Sequence, residues 1–230
     1  MPTSHALHLS RLTHAWVDRP PLFEIDNLSL PQGQHLFIQG PSGCGKSTLL
    51  SLLAGVIQVQ SGVCEVLGRD MAKLNQVQRD VLRGEQIGVI FQQFNLLTYL
   101  NVEANALLPT RLFPSRAASA AKEWGSPKKQ AESLANSLGL KPSLWRQPVN
   151  TLSVGQQQRV AAVRALMGAP QLLIADEPTS ALDESNQMEF IELLLSTAQR
   201  QNASVVMVSH NPKLAPRFDQ LFEMKSGVGE

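Results

Sequence analysis

Leu172-Leu173-Ile174-Ala175 and Val205-Val206-Met207-Val208 are unbroken apolar runs of strand length. They do not alternate with polar residues, so both faces of each strand must be covered, as in a parallel sheet between two layers. Ile87-Gly88-Val89-Ile90-Phe91 reads the same way, and His35-Leu36-Phe37-Ile38 is a shorter run of the kind. Residues 5–30 alternate weakly around Pro20-Pro21 and predict strands joined by a turn, and Gly62–Gly68 predicts one more short strand. Thr48–Ala54 reads as a helix, and residues 74–83 as a polar helix. From about 93 to 157 the pattern turns to helical stretches, 101–112 and 128–139, broken by Pro109, Pro114, Pro127, Pro142 and Pro148. The Ala- and Ser-rich piece from Pro114 to Pro127 carries Arg116, Lys122 and Trp124, and predicts a surface loop, either solvated or touching a partner or lipid headgroups. Strand–helix alternation returns after 157, and no internal repeat is visible.

Composition narrows the class. At 230 residues, 43% hydrophobic and 17% charged, the chain is of ordinary globular make-up. A net charge of +1 argues against a dedicated nucleic-acid binder, which usually carries a basic excess. Two cysteines, Cys44 and Cys64, suggest no disulfide framework and fit a reducing cytosol. The longest apolar stretch, Leu49–Val59, is interrupted by Ser51, Gly55 and Gln58, and falls short of the ~20 residues a span requires. Met1–His5 lacks the charged and apolar regions of a leader, so work at a membrane would need another chain to supply the span.

The chemistry is concentrated at a few points. Gly40-Pro41-Ser42-Gly43-Cys44-Gly45-Lys46-Ser47 fills every fixed position of G-x-x-x-x-G-K-[ST], between the strand 35–38 and the helix that opens at Thr48. Glycines let successive N–H groups turn inward to form an anion nest, and the helix N-terminus points at the same place. Lys46 then supplies a charge for the β- and γ-phosphates of a nucleoside triphosphate, and Ser47 a hydroxyl for Mg²⁺. Cys44, inside the loop, reads as a small filler or as a redox-sensitive thiol. Asp176 and Glu177 end the strand 172–175, where a carboxylate lies near the phosphate loop. Asp176 is the candidate magnesium residue opposite Ser47, and Glu177 the candidate for polarising the attacking water.

Leu152-Ser153-Val154-Gly155-Gln156 resembles the L-S-G-G-Q signature of ATP-binding cassette (ABC) proteins, and a helix from Gln157 to Met167 follows it. Gln92 matches the family's Q-loop glutamine, Ser180-Ala181-Leu182-Asp183 its D-loop, and His210 its switch histidine. Trp16 stands where the family places an aromatic residue that stacks on adenine. The resemblance covers nearly the whole chain. It implies an α/β P-loop NTPase, 1–230 as a single domain, with a RecA-like mixed and parallel-rich sheet core over about 1–92 and 158–230. An antiparallel β region near the N-terminus and a helical subdomain over about 93–157 complete it. It also implies ATP and Mg²⁺ as cofactors, with Lys46, Gln92, Glu177 and His210 catalytic and Ser47, Gln92 and Asp176 on the metal. Trp16, Gly40–Thr48, Ser153, Gly155, Gln156 and Asp183 bind nucleotide, and the signature loop with Ser153 and Gly155 meets the γ-phosphate held by a second copy of the chain, or a paralogue, in an ATP sandwich. One departure stands out: Val154 replaces the first signature glycine, which is strained if that position needs φ > 0 and harmless if it does not.

The stretch Ile87–Leu97 is most similar to ATPases of the macrolide-export and lipoprotein-release type. This implies a permease partner, no nucleic acid, and a peripheral position on the cytoplasmic face of the inner membrane. The same motifs would serve a non-transport ATPase regulating a membrane or cell-wall complex. A soluble ABC protein of DNA repair or translation is disfavoured by the lack of a second cassette, a coiled-coil insertion and a basic surplus.

Overall fold

In the computed structural model, which describes residues 5–225, alternate residues of each buried strand face opposite sides of one sheet. That sheet contains β3 (His35–Gln39), β6 (Ile87–Ile90), β7 (Leu172–Asp176), β8 (Ser204–Val208) and β9 (Gln220–Glu223). Its order is β6-β7-β8-β3-β9, and every pairing in it is parallel, as the expected parallel-rich core requires; the antiparallel pairs lie in a separate sheet. Phe37, Leu173, Ala175, Val205 and Met207 pack into one apolar core; Leu36, Ile38, Leu172, Ile174, Val206 and Val208 pack into the other. Two covered faces explain why these strands read as continuous apolar runs.

The second core lies under α1 (Lys46–Leu53) and a four-stranded antiparallel sheet of β1 (His5–Ala15), β2 (Pro21–Pro31), β4 (Ser61–Val66) and β5 (Arg69–Asp70). The polar helix is α2 (Gln76–Gln86), started by a reciprocal bond pair between Asn75 and Gln78. The leader expectation rests largely on residues 1–4, which lie outside the described residues.

Six more helices follow, α3 (Val102–Ala106), α4 (Leu108–Leu112), α5 (Pro114–Trp124), α6 (Pro127–Ser137), α7 (Val154–Leu166) and α8 (Glu184–Arg200), of which α3, α6, α7 and α8 close the first core. α7 approaches β6 so closely that a side chain on Gly88 would meet the Ala165 carbonyl at 2.3 Å. The stretch 101–112 is two short helices. Residues 114–127 are not a surface loop: α5 occupies most of the stretch and Arg116 is buried, while Lys122 remains exposed. The prolines there start helices rather than break them. Pro114 and Pro127 sit in first turns, where a missing N–H costs nothing. Ala117, Ala118, Ala120 and Ala121 favour the helix, and Gly125 at φ 78° ends it. Among the described residues, no helix is long and apolar enough to cross a membrane.

Candidate active site

Strand register assembles the site. Ile38, Val208 and Asp176 stand side by side on adjacent strands, and Ile90 pairs with Ala175. The residues that follow them therefore leave the same carboxyl edge together: the loop 40–45 after β3, Ser209-His210 after β8, Glu177 after β7, and Phe91-Gln92 after β6. Ligands bind at this edge in open α/β sheets.

Gly45 precedes α1 at φ 96°, and a side chain there would meet Phe23 and Leu22 at 2.7–2.9 Å, so only glycine fits. No side chain caps α1, which leaves its first-turn N–H groups available to an anion. Lys46 is buried and donates to the carbonyls of Gly40 (2.9 Å) and Pro41 (2.7 Å), two of the three bonds an ammonium can make. Pro41, Ser42, Gly43 and Ser47 are exposed, Thr48 is half-buried, and Cys44 is buried beneath the loop. Burial pushes the Cys64 thiol up to about 12, so that cysteine stays protonated and inert.

Glu177 adopts the left-handed conformation at φ 44°, its N–H held by the Val208 carbonyl at 3.0 Å. This turn brings its Oε1 within 2.7 Å of His210 Nε2, whose N–H donates to it. His210 stands where two clefts meet. One, of about 570 Å³, is lined by Gly40, Pro41 and Pro212; the other, of about 440 Å³, by Glu177, Ser180 and Gln187. Gln92 is exposed, and the next turn holds Phe94 and Asn95 both at positive φ, their carbonyls accepting from Arg164 of α7 at 2.6 and 2.7 Å. Burial holds the Arg164 guanidinium below its ordinary value. Trp16 is 47% exposed and packs edge-on against His14, which stacks on Phe23, the residue over Gly45. Desolvation lowers the His14 pKa.

Ser153, Gly155, Gln156 and Asp183 line neither cleft at His210. Ser153 and Gln156 cap α7 reciprocally, with Gln156 N–H to Ser153 Oγ at 3.3 Å and Ser153 N–H to Gln156 Oε1 at 3.0 Å. Val154 is the first residue of α7 and is not at positive φ, so the replacement carries no backbone strain. Asp183 caps α8; the Asn186 N–H first, then the side chains of Asn186 and Ser185, hold its carboxyl below the usual range. Sequence reasoning missed Arg164 and the Gln187–Asn211 contact (2.8 Å), which join segments far apart in the chain and leave no local pattern.

MgATP fits this edge. Uncapped helix N–H groups and a buried ammonium suit phosphates, and no cluster of three or more His, Cys, Asp or Glu among the described residues would hold a metal by itself. Magnesium needs only a carboxylate and a hydroxyl beside phosphate oxygens, which Asp176 and Ser47 can provide. Fold and site define an α/β P-loop ATPase with an antiparallel β layer and a helical segment. The chain belongs to the ABC transporter family, whose model matches residues 23–180, and it is an ABC-type ATPase with ATP and Mg²⁺ as cofactors. It is 35% identical over 225 residues to the lipoprotein-releasing system ATP-binding protein LolD of Legionella pneumophila (strain Paris), covering 98% of this chain and 95% of that one. It is 39% identical over 200 residues to the macrolide export ATP-binding/permease protein MacB of Photorhabdus laumondii, covering 87% of this chain but only 30% of that longer protein. A dimeric ATP-binding cassette in a post-hydrolysis state with ADP and Pi superposes with a TM-score of 0.82 at 29% identity, over 96% of each chain.

Proposed function

We propose that this chain is the ATP-hydrolysing subunit of a membrane transporter. It dimerises around two MgATP and drives a separate permease in export or extraction of a substrate. The observation that carries the reading is the 2.7 Å contact of His210 with Glu177 at the mouth of the cleft lined by Gly40 and Pro41. In this reading Lys46 and the α1 N–H groups hold the β- and γ-phosphates. Ser47, Asp176 and Gln92 hold Mg²⁺, which when bound neutralises charge between those phosphates. Glu177 polarises the attacking water, and His210 orients Glu177 and reaches the γ-phosphate. Trp16 stacks on adenine. Ser153, Gly155, Gln156 and Asp183 serve the nucleotide of the facing copy, a division supported by their absence from the chain's own clefts.

The relatives, a lipoprotein-releasing system protein and a macrolide export protein, support the transport side. The chain then sits peripherally on the cytoplasmic face of the inner membrane. The permease docks beside Gln92, in the apolar groove of about 220 Å³ lined by Val89, Phe91, Leu108 and Leu112. Phe94 belongs to the core and is not available to it. Isolation from native membranes should bring a permease with the chain. Alanines at the exposed Gln93, Thr98 and Tyr99 should release it from membranes with ATP binding and Tm unchanged. A wild type that never associates with membranes, or a set of variants that all stay coupled, overturns the transporter assignment.

A further inference from the structure

His210 is flanked by Ser209 and Asn211, and both are pinned. The Asn211 N–H donates to Ser209 Oγ at 3.2 Å, its Oδ1 accepts from the Lys213 N–H at 3.1 Å, and its Nδ2 donates to Gln187 Oε1 at 2.8 Å. Gln187 uses its other amide atom as well, since its Nε2 donates to the Leu182 carbonyl at 2.9 Å. One side chain on α8 thus bridges the loop that carries His210 and the loop 180–183. A second tie runs parallel, from Lys213 to Glu184 one helical turn earlier. Leu182 continues the chain of contacts, for its Cδ2 lies 3.4 Å from where a side chain on Gly155 would begin. The relay therefore runs from His210 through Asn211, Gln187 and Leu182 to the N-terminus of α7.

A residue needed only for helix stability would not reach in two directions away from its helix. Gln187 already donates its backbone N–H to the Asp183 carbonyl at 2.9 Å, so the side chain adds nothing that α8 requires. Donating and accepting through one amide also polarises both bonds, which makes the pair respond as a unit.

We infer that Gln187 is a positioning residue. It locks the His210 segment to Leu182, and through Leu182 to the Ser153–Gly155 loop of the same chain. This rests on the two-chain reading above and deepens it. In that arrangement His210 serves the chain's own nucleotide while Ser153 and Gly155 meet the nucleotide of the facing copy. A displacement of Gly155 by the partner's nucleotide passes to Leu182, then through Gln187 and Asn211 to His210, and aligns it on Glu177. Gln187 thereby couples the two ATP sites.

The test is steady-state ATP hydrolysis by the full chain and by Gln187→Leu, which keeps volume and helix preference but removes both bonds. The expected result is a kcat about tenfold lower with KM for ATP within about twofold, and a Hill coefficient moved toward one. Tm should fall by no more than about 10 °C, so that the chain stays folded at the assay temperature. In a cycle with Asn211→Ala, the double variant should be no slower than the slower single variant, because both break the same relay. If Gln187→Leu does not fold, Gln187→Glu keeps an acceptor for Asn211 but loses the donor to Leu182, and should show the same kcat loss. A kcat within about twofold of the parent, or effects that simply add, overturns the inference and leaves the ATPase assignment standing. A parent chain that hydrolyses no ATP overturns both.

Discussion

The parallel-sheet edge and the helical segment from α3 to α6 are built by different means. In the parallel sheet, apolar side chains do the joining: β3, β7 and β8 are buried on both faces, and Asp176 ends β7 at the carboxyl edge. The helical segment also sends Val102, Ala106, Ala131 and Leu134 into the core, but its fixed points are buried polar groups. Arg116 donates to the carbonyls of Gly84, Ile87 and Met167 at 2.6–2.7 Å. Asn105 bonds the backbone of Leu97, Leu100 and Asn101, and Gln130 accepts from the Gly168 N–H. Apolar packing is non-directional and holds the sheet as one body. Directional bonds to carbonyls place the helical segment at one angle and register, which a segment carrying the proposed permease groove requires. Burial pushes Arg116 down to about 10, so the guanidinium remains charged at neutral pH.

The largest separation between the two regions should come from Lys46→Ala. If Lys46 holds the β- and γ-phosphates as proposed, removing its charge costs several kcal/mol in the transition state, so hydrolysis should fall at least about a hundredfold while Tm stays near the parent value. Near-normal turnover would break the site assignment. Arg116→Met should do the reverse. Three buried carbonyls lose a charged donor, at about 1–3 kcal/mol for each group left unpaired. Tm should drop by about 10 °C, with ATP binding retained below the transition. Arg116→Lys should recover only part of the loss, because an ammonium lacks the fork that reaches three carbonyls. An unchanged Tm in Arg116→Met would show that apolar packing alone seats the segment. Val154→Gly should have the smallest effect. Since Val154 is the first residue of α7 and unstrained, glycine should cost about 0.5–1 kcal/mol of stability and add no turnover. A faster enzyme would mean the signature loop leaves this conformation in the dimer.

The same contrast explains what the sequence makes legible. Phosphate binding demands fixed residue types at fixed spacing, so the proposed site at Gly40–Ser47 stands out in the sequence as a pattern. The strands beside it announced themselves as apolar runs, and with them the places where Asp176, Glu177 and His210 emerge. The sequence of α5 reads as a loop because prolines and a cation look like surface features until their partners are in place. Arg116 bonds residues 29, 32 and 51 positions away, and Asn211 one 24 positions away. Such contacts have no period. The parallel sheet, by contrast, was legible in the unbroken apolar runs of β7 and β8, because both faces of those strands are covered.

In the proposed ATP sandwich each chain holds two half-sites, and Glu177→Gln reports on both at once. This variant should bind MgATP, hydrolyse it about a hundredfold or more slower, and keep the nucleotide as glue between the Ser47 side of one copy and Ser153 of the other. Sedimentation or size-exclusion measurements should show a monomer without nucleotide and a dimer at saturating MgATP. A variant that binds MgATP yet stays monomeric, both alone and with its permease present, would contradict the account.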